Sequence, residues 1–205
     1  MADLTTLARV KLRLFPDGST DTDADTLLAQ LITDCSAYVN AFVNGRQLTP
    51  LTAQTIYLDT APGSVIQYPP GIRTVTSLSV AIGDQPDDGT GTYTAVAAAD
   101  IYLRGRLFGL STSPATLIYL KGSYARLRLA FNGAKLVGDT GWAATPADIQ
   151  SVVDDAVTVA YTSRQGPADS GIGEGSAPSY PWARYFGKDS AARKTLERYR
   201  RPGMA

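Results

Sequence analysis

The hydrophobic period of this chain changes twice, and those changes constrain its fold more than any motif. Leu28, Leu31, Ile32, Cys35, Val39, Phe42 and Val43 recur at helical spacing, which predicts an amphipathic helix over about Ala24–Val43. Between about Leu51 and Val137 the pattern shortens to runs rich in Val, Ile, Thr and Tyr: "QTIYLDT", "RTVTSLSVAIG", "TYTAV", "DIYLRGRLFGL", "ATLIYL" and "YARLRLAF". Several alternate with period two, and "APG", "YPPG", "GDQPDDGTG", "STSP" and "FNGAK" separate them as turn clusters, so these runs predict about six antiparallel strands. Helical spacing returns with Ile149, Val152, Val153, Ala156, Val157 and Ala160.

The local signals agree. A first helix is expected over about Leu4–Phe15, capped by Asp3 and broken by Pro16 and Gly18. Asp21, Asp23 and Asp25 favour the start of the second helix, and Gly45 ends it. As a calcium loop, "DGSTDTDAD" lacks the closing glutamate of an EF-hand. Thr145 and Pro146 suit the entry of the last long helix, with Asp148 in its first turn. Asp154 and Asp155 are adjacent, hence divergent on a helix, and read as a solvated face. Arg126 and Arg128 read as the solvated face of a strand.

The expected fold is α+β: a small antiparallel-type helical bundle with an inserted antiparallel β unit and an extended C-terminal arm. Residues 1–50 hold the N-terminal helices, 51–140 the β domain and 141–165 the closing helix. Residues 166–205 form a flexible arm with a short basic helix; "GPADSGIGEGSAPSYP" is too poor in large apolar groups to pack alone. "SAARKTLERYRR" can form three turns, capped by Ser190, with Ala192, Leu196 and Tyr199 on one side. So short a helix is marginal alone, and is expected to order against something else.

The chemistry is restricted. Among 205 residues there is no histidine, one cysteine and only two glutamates, Glu174 and Glu197. The usual general base, a serine–histidine–aspartate triad and a multi-thiolate zinc site are therefore missing. "YFGKDS" fails as a P-loop because Asp189 stands where a hydroxyl belongs, and "GIGEGSA" follows no strand. No enzyme, cofactor or metal is expected. The N-terminus has no signal-peptide pattern and no run is long and apolar enough for a membrane span, so a cytoplasmic protein is expected.

The zero net charge conceals a division. From Trp182 onward seven basic residues face two acidic ones, leaving that tail at +5 and the rest at −5. Such asymmetry marks a tail that meets a partner. A nucleic acid gripped by the basic tail, with Trp182, Tyr185 and Phe186 stacking on bases, is one reading; a docking arm for a protein is the other.

The order of elements supports the second. "LTTLARVKLRL", an aspartate-rich break and "DTLLAQLITDCSAYVNAFVNGR" resemble the opening of head–tail connector proteins of tailed bacteriophages, the adaptor or head-completion family. The matching positions are Leu7, Val10, Lys11 and Leu14, then Leu28, Leu31, Ile32, Ser36, Val39, Phe42 and Arg46. Pro146 and Asp148 match the family's entry to the closing helix, and "AYTSRQG" resembles its ending. The resemblance spans roughly residues 1–165; the β insertion is longer than the family minimum, and Cys35 stands where alanine is usual.

The resemblance implies a virion protein at the head–tail junction, assembled in the host cytoplasm. It would form a homo-oligomeric ring, typically a dodecamer, between the portal and a downstream tail or stopper protein, through which DNA passes without sequence-specific binding. It also implies that the C-terminal segment docks on the portal. The residues expected at that contact are Trp182, Arg184, Tyr185, Phe186, Arg193, Leu196, Tyr199, Arg200 and Arg201.

Overall fold

The computed structural model describes residues 2–18, 22–44, 46–81, 92–105, 113–122, 127, 130–165 and 185–200. The chain divides into two compact units, Met1–Asn44 with Thr145–Ala205, and Gly45–Ala144.

The first unit is helical. Its elements are α1 (Leu7–Leu14), α2 (Asp25–Phe42), α3 (Ala147–Gln165) and α4 (Ala191–Tyr199). Thr6, rather than Asp3, caps α1: its hydroxyl accepts from the Arg9 N–H. The apolar stripes become the core as their spacing dictates. Val10, Leu28, Leu31, Ile32, Cys35 and Val39 are buried, as are Ile149, Val153, Ala156, Val157 and Ala160. Ser36 is buried too, and its hydroxyl accepts from the Leu4 N–H at 3.0 Å.

One polar residue sits within this core. Asp154 was expected on a solvated face, but is buried, its carboxylate bound by the Thr5 hydroxyl and, at 2.9 Å, by Arg9. Its neighbour Asp155 is half exposed and pairs with Arg13. Adjacent helical residues diverge by about 100°, so arginines of α1 reach both, while only Asp154 is buried. Burial costs a carboxylate less when a cation and a hydroxyl replace its water.

Among the described residues the second unit is a six-stranded antiparallel sheet: β1 (Leu51–Thr60), β2 (Val65–Ala81), β3 (Tyr93–Ala95), β4 (Ile101–Arg104), β5 (Ala115–Leu120) and β6 (Ala130–Thr140). The order is β1-β6-β2-β5-β4, with β3 also on β2. Leu58, Ile66, Ile72, Leu78, Ile118 and Leu136 point to one side and form its core.

Two expected turns lie inside strands. "YPPG" falls within β2, where the pairing slips between Gln67 and Ile72. Gly71 takes φ +102°, so one long strand bends there instead of reversing. "FNGAK" falls within β6, where Asn132 adopts φ +48° and β1 pairing shifts nearby. Asparagine tolerates that conformation. Of the expected strand "YARLRLAF", Leu127 forms an isolated bridge with Gly63 and the end belongs to β6; Arg126 and Arg128 lie outside the described residues.

Candidate partner-binding surface

The nine expected contact residues separate into three groups. Trp182, Arg184 and Arg201 lie outside the described residues. Phe186, Leu196 and Tyr199 are buried in the helical unit. Tyr185, Arg193 and Arg200 remain at or near its surface.

The buried group corrects an expectation: α4 does not wait for a partner to give it order, because it packs on its own chain. Ser190 caps it by accepting from the Arg193 N–H at 3.1 Å. Leu196 and Tyr199, three apart, and Ala192 share one face of the helix and turn it inward. The Tyr199 hydroxyl donates to the Asp148 carboxylate, 2.7 and 2.8 Å from its two oxygens. Burial, reinforced by this carboxylate, pushes the Tyr199 phenol above its ordinary pKa. Asp148 thus holds α4 down, besides sitting in the first turn of α3.

Just before α4, Phe186 stacks on Tyr38 of α2 with ring centres 4.9 Å apart. At 3% exposure it has no face left for a nucleic-acid base. The Tyr185 hydroxyl lies 3.3 Å from Asp155, and burial raises its pKa. These contacts make the start of the helix part of the unit's packing.

The outer face of α4 is basic. Arg193 and Arg200, seven residues apart, both place their guanidinium groups 5.5 Å from the Phe42 ring centre. Arg193 also bonds Glu197 at 3.1 Å, and Arg198 lies 4.0 Å from Asp148. Lys194 and Arg200 are exposed, and the Arg198 side chain is 61% exposed. A guanidinium laid on a ring keeps donors for an anionic partner while its position is restrained. The roles of Phe42, Tyr38 and Asp148 at this surface are not read from the sequence, because their partners in or beside α4 lie some 50 residues or more away in the chain.

Among the described residues no group of three or more His, Cys, Asp or Glu side chains could hold a metal. Burial and the neighbouring Asp34 push the Cys35 thiol up to about 12, so it is inert as a nucleophile at neutral pH. No helix among the described residues is long and apolar enough to cross a membrane.

Among solved structures, the chain is similar to a chain from the neck of an empty gene transfer agent particle computed with C6 symmetry. The TM-score is 0.52 at 18% identity, covering 98% of this chain and 92% of that one. The fold is that of a neck chain. A chain from the virion of a native gene transfer agent particle gives a TM-score of 0.50 at 18% identity, covering 100% of this chain and 96% of the other. No family model matches the sequence, and no curated protein matches it significantly. At this identity the likeness establishes a shared fold across both units.

Proposed function

We propose that this chain is a structural virion protein, a head–tail connector subunit whose copies form a ring between portal and tail and leave a channel for DNA. The observation that carries this reading is the likeness to a neck chain over 98% of this chain, helices and β insertion included. Two further points support it. Of the positions that matched the connector pattern, Val10, Leu28, Leu31, Ile32, Ser36 and Val39 are buried core positions, while Leu7, Lys11, Leu14 and Phe42 are partly exposed. The neck with which the chain shares its fold was computed with sixfold symmetry, which fits a closed ring of copies, a dodecamer among them.

The protein acts by assembly rather than catalysis. Its portal contact uses the basic face of α4, with Arg193 and Arg200 outward, joined by the aromatic and arginine residues Trp182, Arg184 and Arg201 that flank α4 in the sequence. Phe186, Leu196 and Tyr199 serve that contact indirectly, by fixing the helix that carries it. An acidic portal surface suits this face, and repetition around a ring turns a weak contact into a firm joint.

The test is complementation. Particles made without the chain should accumulate DNA-filled heads that do not join tails, and purified chain should restore joining. If heads and tails join in its absence, the reading fails.

A further inference from the structure

The charge of the chain is more finely divided than a basic tail on an acidic body. The β unit, residues 45–144, carries eight basic and six acidic residues. Within it, residues 101–138 contain Arg104, Arg106, Lys121, Arg126, Arg128 and Lys135, and no acidic residue at all.

Two of these cations stand on the described corner formed by β4 and β5. Ile101 and Leu103 pack against the sheet core, so strand alternation turns Tyr102 and Arg104 to the opposite face. Tyr102 lies directly across from Tyr119 on β5. The Arg104 guanidinium is 5.7 Å from the Tyr119 ring centre, and the Lys121 ammonium is 4.0 Å from that of Tyr102. Four side chains thus make a ladder of cation, ring, ring and cation, with Tyr102 38% exposed.

No carboxylate pairs with Arg104 or Lys121 among the described residues. Asp100 lies beside Gly122, and its backbone carbonyl accepts from the Lys121 N–H. Elsewhere on the sheet Asp139 is bound to Arg73 and Asp59 accepts from the Asn132 N–H. The rings restrain the two cations without neutralising them, so less side-chain freedom is lost when an anion arrives. The cations stand at opposite ends of the ladder and do not converge on one point. That arrangement suits a chain of phosphates better than one small anion.

We propose that the outward face of the β4–β5 corner, with Tyr102, Arg104, Tyr119 and Lys121, contacts the phosphate backbone of duplex DNA without reading its sequence. This rests on the connector reading, in which DNA passes along every subunit, and names the surface that meets it.

Binding of the full chain to a short DNA duplex, followed by fluorescence anisotropy against salt concentration, tests the proposal. Binding should weaken as salt rises and be indifferent to duplex sequence. In the double variant Arg104→Gln/Lys121→Gln, the slope of log affinity against log salt should become shallower by about 1.8, the release expected for two phosphate contacts. Arg104→Lys should keep the wild-type slope, which loss of structure would not allow, and thermal melting should confirm that each variant is folded.

No measurable binding at about 50 mM salt overturns the proposal. So does an unchanged slope in the Arg104/Lys121 variant, or equal binding of polyglutamate, which would point to an acidic protein. Because the assay uses the isolated chain and no portal, its failure leaves the head–tail joining result untouched. Failure of joining with the salt slope intact would instead remove the connector reading alone.

Discussion

The helical unit and the sheet unit hold their shapes by different means, and the difference explains where each is sensitive. In the helical unit the fold follows one repeated pattern, apolar residues three and four apart, and most of the buried apolar positions on the long helices could be named from their spacing. In the sheet, alternation sets which side chains point inward, but backbone irregularities at Gly71, Asn132 and Gly138 set which strands meet. Damage to the helical unit should therefore follow lost apolar volume. Damage to the sheet should also arise at residues with no apolar side chain.

Gly138→Val is the strongest way to break that comparison. A Cβ at Gly138 would lie 2.2 Å from the Thr74 carbonyl oxygen, where β6 passes β2. The clash is with backbone, so stability should fall by at least about 4 kcal/mol, read by chemical denaturation. A loss below that of Leu31→Ala would show the strands adjusting easily. Leu31→Ala should cost about 3 kcal/mol, because it empties a fully buried site in α2.

A third comparison uses neighbours on one helix. Asp154→Ala should cost about 2 kcal/mol, since it strips a buried hydroxyl and a cation of their shared acceptor. Asp155→Ala, at a half-exposed pair, should cost roughly 0.5 kcal/mol. Equal losses would mean that Asp154 gains nothing from its burial.

The smallest effect sharpens the account of α4. Tyr199→Phe should cost about 1 kcal/mol at neutral pH through loss of the Asp148 hydrogen bond. The folded phenol has a raised pKa, so its contribution is complete below about pH 10, the free value. It declines as pH rises beyond that toward the folded value. Melting curves of wild type and Tyr199→Phe should therefore converge in alkali; a constant gap would separate Tyr199 from the titration.

Much of this was legible in the sequence. The stripe from Leu28 to Val43 and that from Ile149 to Ala160 fixed two helices and their buried faces, and the Val- and Tyr-rich runs fixed most strands. "YPPG" and "FNGAK" misled because proline, glycine and asparagine mark bends as well as reversals, and only pairing distinguishes the two. Asp154 misled because its partners, Thr5 and Arg9, lie some 145 residues away in the chain. The candidate surface was half legible. Basic residues and a face of Ala192, Leu196 and Tyr199 were visible, but not that the apolar face would find its cover on its own helices. A short amphipathic sequence states that one face needs burial without naming what buries it.

Electron microscopy of the purified chain mixed with portal rings tests the central claim most directly. The account predicts a second ring stacked on one end of the portal, coaxial with it and enclosing an open channel, with the helical unit at the joint. Portal rings that stay bare in the presence of excess folded chain would contradict it.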